Sequence, residues 1–382
     1  MPISLGNEVL LEERFGLVRG RRVGLITNPS GVNARLEATA DVLLRSGVRL
    51  TALFGPEHGA RGEQAAGAPV ASSRDGRADI PVHSLYGETR RPTPEMLSGI
   101  DAMLFDVQDV GARFYTYVAT MVHALEACAE QGVPFVVLDR PNPIGGAMEG
   151  NLLDPAFASF VGPGPILLRH GMTAGELARL FNAEFNLGAD LTVVPTRGWR
   201  RTMFYDETGL LWVPPSPNMP TMETTVVYPG MCLMEGTAVS EGRGTTKPFE
   251  QVGAPGIDGR QLARHLNERG IPGAIFRPVT FEPFTGKQSG QACEGVQVHV
   301  TDRRIYPAVR AGLEALAAVR DLFPGVLAWR NVDGVYPFDR LMGTDRVRQA
   351  LDAGAGAEEI VANFEPDIQG FAERRGPYLL YE

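Results

Sequence analysis

The feature that most constrains this chain is a series of five short apolar runs, at residues 23–27, 50–54, 102–107, 135–138 and 191–194, each bounded by Gly, Pro or charge. Continuous apolar runs of this length predict strands buried on both faces, since a half-exposed strand would alternate. The segments between them carry helical periodicity. Leu36, Ala40, Leu43 and Leu44 share one face ahead of Gly47, and Val118, Met121, Val122, Leu125 and Ala129 repeat the pattern ahead of Gly132. Thr173 and Glu176 make a capping box in front of Leu177, Leu180 and Phe181. Strand–helix alternation of this kind predicts an open, mostly parallel sheet with helices on both faces.

The texture changes near residue 212. Residues 214–218 and the Gly-rich 236–259 stretch read as long shaped loops, 296–301 alternates as a half-exposed strand, and 305–322 and 345–351 read as helices. A chain of 382 residues is expected to hold about two domains, here an α/β domain over 1–212 and a smaller α+β domain over 213–382.

Charge and cysteine content narrow the function classes. There are 36 Lys and Arg against 45 Asp and Glu, a net charge of −9, with no basic block. That balance disfavours nucleic acid or an anionic membrane as partner and leaves a small molecule. The three cysteines, Cys128, Cys232 and Cys293, share no motif spacing and read as buried thiols, and the six histidines never pair at metal-ligand spacing. Residues 1–11 carry no basic region followed by an apolar stretch, and no apolar run approaches the roughly 18 residues of a membrane helix. A soluble, cytoplasmic protein is the expectation.

In open α/β sheets ligands bind beyond the carboxyl ends of the strands. Four of the five runs lead there into polar, turn-forming segments: 27–31 with Asn28; 55–62 with Glu57, His58 and Arg61; 106–117 with Asp106, Gln108, Asp109, Arg113, Tyr115 and Tyr117; and 139–143 with Asp139, Arg140 and Asn142. The first turn lacks G-x-G-x-x-G, residues 242–247 lack phosphate-loop spacing, and no G-x-S-x-G occurs, so nucleotide and serine-hydrolase chemistry lose support. What remains is carboxylates with arginines and aromatics, the kit of glycoside hydrolysis, in which one carboxyl acts as acid and another as base or nucleophile. Each residue also has a structural alternative. Glu57 can cap a helix or pair with Arg61; Asp106 and Asp109 can cap the next helix and orient Arg113. Arg140 can tie down its own loop, and His58 can be a hydrogen-bonded loop residue. Tyr115 and Tyr117 can simply pack, although a spacing of two would put both on one side of an extended segment.

The motifs together resemble a known family. They are Phe54-Gly55-Pro56-Glu57-His58-Gly59 with Arg61-Gly62, Asp106-Val107-Gln108-Asp109-Val110-Gly111 through Tyr117, and Leu138-Asp139-Arg140-Pro141-Asn142-Pro143. Arg169-His170-Gly171-Met172-Thr173, Pro215-Ser216-Pro217-Asn218-Met219-Pro220, Glu235-Gly236-Thr237 and Gly242-Arg243-Gly244-Thr245 follow, and Tyr378-Leu379-Leu380-Tyr381 closes the chain. This set resembles the NamZ-type exo-β-N-acetylmuramidases. The resemblance implies a Rossmann-like parallel-sheet domain, a second smaller α+β domain, and an active site in the cleft between them. It implies release of N-acetylmuramic acid from the non-reducing end of peptidoglycan fragments, with no metal or organic cofactor. Two departures stand out: Glu241 where a small or apolar residue is expected, and no export signal where many members have one, which points to cytoplasmic recycling of fragments.

On this reading Glu57 is the catalytic acid, helped into position by His58, and Asp106, Asp109 or Asp139 supplies the second carboxyl unless the substrate's own acetamido group assists. One of Arg61, Arg113, Arg140 or Arg243 reads the lactyl carboxylate. Asn28, Gln108, Tyr115, Tyr117, Asp139, Asn142 and Asn218 complete the expected sugar-binding set. Competing readings are another hexosaminidase or sugar-acid enzyme, and a non-catalytic muropeptide-binding protein.

Overall fold

The computed structural model describes residues 3–60, the backbone of 73–74, and 80–382. Its central sheet uses β1 (Arg22–Thr27), β2 (Arg49–Gly55), β3 (Ser73–Arg74), β4 (Pro81–Ser84), β5 (Ala102–Asp106) and β6 (Phe135–Leu138). The small ribbon β7 (Glu149–Leu152) and β8 (Leu167–Arg169) follows, and β9 (Leu191–Val194) then rejoins the sheet. The order is β3-β4-β2-β1-β5-β6-β9, with only β3 antiparallel to its neighbour. All five runs are therefore strands of one parallel sheet.

Burial on both faces explains the unbroken apolar character of β1, β2, β5 and β6, while β9 lies at the sheet's edge with only Val194 fully buried. Leu25, Leu53, Leu104 and Val136 pack on one side under the helices Gly6–Glu13 and Thr39–Arg45. Ile26, Phe54, Phe105 and Phe135 pack on the other, towards the helices Tyr117–Gln131 and Ala174–Glu184. The strand order reverses between the parallel neighbours β1 and β5, whose ends are level, with Thr27 opposite Asp106. Crevices at such a switch point are where α/β sheets bind ligands.

The capping box forms as expected: the Thr173 side chain accepts from Glu176 N and the Glu176 carboxylate accepts from Thr173 N. Gly132 ends its helix at φ 64, a left-handed position that favours glycine. The first expected helix is shorter. It starts at Thr39, so Leu36 lies ahead of it, 47% exposed and at φ 63, rather than on its buried face.

Beyond residue 212, β10 (Gln251–Ala254), β11 (Ala274–Phe281) and β12 (Cys293–Val300) form an antiparallel sheet in the order β10-β12-β11. Along β12, Val296 and Val298 are buried while Gln297 is half-buried and His299 exposed, as the alternation predicts. The helices Ala308–Leu322 and Arg346–Asp352 match the two expected ones, the first starting after Pro307. The 214–259 stretch is more ordered than a loop. It holds the helix Met222–Met231, a 3-10 turn Cys232–Gly236, and β10. All of that helix except Glu223 is buried, so it has no polar face to create a helical period, and Pro229 lies inside it. A single apolar core runs from Phe105 and Met121 through Tyr228 and Leu233 to Leu313 and Phe371, joining both halves of the chain. No helix among the described residues is long and apolar enough to cross a membrane.

Candidate active site

The turns after β2 and β5 meet segments of the C-terminal half around one cavity of about 320 Å³. Glu57 reaches it from a tight turn. Gly59 N donates to Pro56 O at 2.9 Å, a Cβ on Gly55 would come within 2.5 Å of Ala60 N, and His58 sits at φ 73. A non-glycine residue at such a φ is uncommon, and strained positions of this kind cluster at functional sites. The Glu57 carboxylate accepts a 2.7 Å hydrogen bond from Thr116 Oγ1. His58 is buried and lines the cavity beside it.

Tyr115 and Tyr117 also line the cavity, but not as an extended segment. Residues 112–116 turn into the helix Tyr117–Gln131, and the two rings meet edge to face at 4.8 Å. Tyr117 donates to Pro215 O at 2.6 Å, and Asn28 Nδ2 donates to the same carbonyl at 3.0 Å. Asn28 is thus a positioning residue: with Tyr117 it fixes the strand of chain that brings Ser216 and Asn218 to the cavity wall.

The other strand-end carboxylates do not face the cavity. Asp106 is fully buried, with Arg140 Nε at 2.6 Å on one oxygen and Thr39 Oγ1 at 2.5 Å on the other. Arg140 spends its remaining contact on Val32 O at 2.7 Å. Asp139 accepts from Thr173 Oγ1, Gly175 N and Tyr381 OH, and burial pushes its carboxyl up to about 6. Asp109 accepts from Gly111 N at 2.7 Å and lies 3.6 Å from His170 Nε2. Gln108 donates to Asp109 O and Pro141 O, and Asn142 donates to Met172 O, so both wire turns together. Arg113 is wholly buried, and its guanidinium donates to the carbonyls of Asn151, Ile166, Leu341 and Met342. It clamps the two halves of the chain and does not orient to Asp106 or Asp109. Arg61 lies outside the described residues.

The second carboxylate at the cavity is Glu235, which strand-end reasoning did not reach because it comes from the C-terminal half. The motif Glu235-Gly236-Thr237 was its only sequence signal. Arg243 Nη1 donates to Glu235 Oε2 at 2.7 Å and to Glu241 Oε1 at 3.1 Å, while its guanidinium lies 4.8 Å from the Phe249 ring centroid. Burial opposes the Arg243 charge, but Glu235 and Glu241 outweigh it and raise its pKa. Lys287 Nζ donates to Met234 O and Thr237 O at 2.7 and 3.0 Å and stands 2.6 Å from Glu241 Oε2. Buried Glu241 therefore joins Lys287 and Arg243 in holding the segment that carries Glu235.

Tyr86 lines the same cavity beside Glu57. Its hydroxyl hydrogen-bonds Glu57, and its pKa is raised by burial first and then by Glu57, with Glu235 adding to the same effect. Cys232 lines the cavity as well, donating to Glu235 Oε2 at 3.6 Å. Burial holds that thiol well above its ordinary pKa, which removes the thiolate a nucleophile would need. The arrangement offers two carboxylates, a phenol beside one of them and an aromatic floor, and so suits acid–base chemistry on a sugar. Among the described residues no three His, Cys, Asp or Glu gather as metal ligands.

Similarity to known proteins extends over nearly the whole chain. The family models for the N-terminal and C-terminal parts of the exo-β-N-acetylmuramidase NamZ match residues 23–223 and 226–381. The peptidoglycan β-N-acetylmuramidase NamZ of Bacillus subtilis (strain 168) is 49% identical over 99% of this chain and 91% of its own length. Two solved DUF1343 family proteins from Bacteroides fragilis NCTC 9343 superpose over 100% of this chain and 99% of theirs. Their TM-scores are 0.93 and 0.81, at 38% and 33% identity.

Proposed function

The chain belongs to the NamZ exo-β-N-acetylmuramidase family, and from that premise we propose how its cavity cleaves the glycosidic bond of a terminal N-acetylmuramic acid residue. The protein is a glycoside hydrolase that takes N-acetylmuramic acid from the non-reducing end of peptidoglycan fragments. Glu57 donates a proton to the glycosidic oxygen as the bond to the anomeric carbon breaks. Glu235 is the second carboxylate, serving the anomeric carbon as positive charge builds there, and water supplies the hydroxyl that ends on it. His58, Tyr115 and Asn218 shape the sugar site.

The observation that carries this assignment is the convergence of Glu57 and Glu235, 178 positions apart in the chain, on one cavity. Asp106 and Asp139 cannot fill the second role without giving up the buried contacts that organise the sheet's edge.

The test compares two leaving groups. On a muramic acid–glucosamine disaccharide, whose leaving alcohol needs a proton, Glu57→Gln should lower kcat by roughly 10²–10⁴-fold. On an aryl muramide, whose leaving phenolate needs little help, the loss should be much smaller. Equal losses on both would remove Glu57 from the acid role. Glu235→Gln should depress both substrates alike, and a Glu235→Gln enzyme of near-wild-type rate would remove Glu235 from the mechanism. Following the product anomers by NMR with the wild-type enzyme gives the stereochemical course.

A further inference from the structure

We infer that Arg90, which lies over the cavity-wall residue Tyr86, is the residue that reads the lactyl carboxylate of the substrate; this rests on the glycosidase reading above. N-acetylmuramic acid differs from N-acetylglucosamine by that one anionic group. A chain of net charge −9 whose cavity already holds two carboxylates repels an acidic sugar unless a cation is placed to meet it.

Of the arginines named from sequence, Arg61 lies outside the described residues, and the three that are described do not supply one. Arg113 and Arg140 are buried with their donors on carbonyls and on Asp106. Arg243 is already neutralised by Glu235 and Glu241. Arg90 differs on each count. It is exposed, and among the described residues its contacts are with aromatic rings and not with an Asp or Glu. Two aromatic rings hold it instead: its guanidinium carbon lies 4.6 Å from the Phe160 centroid and 5.5 Å from that of Tyr86. Those rings pack on each other at 5.8 Å, and His123 stacks parallel to Phe160 at 6.0 Å. Tyr86 and Val161, the neighbour of Phe160, are part of the cavity wall. The Arg90 charge is felt at the Tyr86 hydroxyl, where it opposes the push from Glu57.

Stacking on aromatic faces restrains a guanidinium without using its N–H donors, which stay in its plane for a planar, bidentate acceptor. A carboxylate on the sugar's C3 side chain is such an acceptor. A Lys at this place would keep the charge but lose the fork.

The experiment uses two aryl muramides, one with the free lactyl acid and one with the lactyl amide, on wild-type enzyme, Arg90→Gln and Arg90→Lys. Wild type should favour the acid. Arg90→Gln should lower kcat/KM for the acid by roughly 10- to 100-fold, mostly through KM, and flatten the preference for acid over amide. Arg90→Lys should recover part of that preference. Undiminished acid-over-amide preference in Arg90→Gln would overturn the assignment, and so would equal loss on both substrates. A wild-type enzyme inert on every muramide would instead overturn the glycosidase reading. Because Arg90 is exposed, its variants are expected to fold.

Discussion

Asp139 shows how a polar residue at a strand end can serve the fold and still look like a catalytic group in the sequence. Its side chain caps the helix Ala174–Glu184 through Gly175 N and gathers Thr173 and Tyr381. Burial nevertheless dominates and raises its carboxyl from 3.8 to about 6. The folded protein then keeps this proton up to about pH 6, whereas the unfolded chain releases it near pH 4. Stability contributed at this site must fall as pH rises from about 4 to 6 and stay level above, by about 3 kcal/mol in all. Urea unfolding of wild type and Asp139→Asn across pH 4–7 measures this. Wild type should gain on the variant as pH falls towards 4, and a gap that does not change with pH would reject burial as the controlling effect. From sequence, Asp106, Asp109 and Asp139 stood equal as candidates for the second carboxyl, because strand-end position says which edge of a sheet a residue occupies and nothing of which oxygen is already taken. Only the contacts of Arg140, Thr39 and Tyr381 separate them.

Among elements, the inner parallel strands were legible because burial on both faces leaves an unbroken apolar run, whereas the half-buried parallel strand β4 was not read from the sequence. The helix Met222–Met231 was hidden for the opposite reason: it is buried nearly all round, so it has no period, and Pro229-Gly230 reads as a turn. The glycine is there for a close crossing. A Cβ on Gly230 would stand 1.8 Å from Ala308 O, and one on Gly312 would stand 2.2 Å from Gly230 O, so the helices Met222–Met231 and Ala308–Leu322 touch backbone to backbone. Gly230→Ala must push them apart. Overpacking of a tight core contact typically destabilises by about 1–3 kcal/mol, and a backbone neighbour that cannot rotate away puts this site at the upper end. Since the same helix carries Tyr228 and runs directly into Cys232 and Glu235, the displacement should also raise KM. Denaturant midpoint and steady-state kinetics on one sample read both effects, and a stable variant with unaltered KM would show that the crossing can relax.

For the whole molecule, the C-terminal segment returns to the edge of the first sheet and closes the structure on itself. Leu380 N donates to Glu176 Oε1 at 2.8 Å, Arg201 N donates to Glu382 O at 2.7 Å, and the Tyr381 hydroxyl accepts from Thr196 N while donating to Asp139. The Tyr381 ring packs edge to face on Trp199 at 5.0 Å. These contacts tie residues at one end of the sequence to β6 and β9, and the continuous core and the Arg113 clamp tie the rest. The two halves expected from sequence should therefore melt together. Removing residues 377–382 deletes several hydrogen bonds at about 0.5–1.5 kcal/mol each and takes a donor from buried Asp139. Calorimetry should find one transition in the full chain and one, several degrees lower, in the shortened chain. Two separated transitions in the full chain would mean that each half is stable alone and that the cavity between them is a contact of independent bodies. A single, lowered transition would mean that Glu57 and Glu235 are held in register by the fold as a whole, which a bond-cleaving pair drawn from opposite halves of a chain requires.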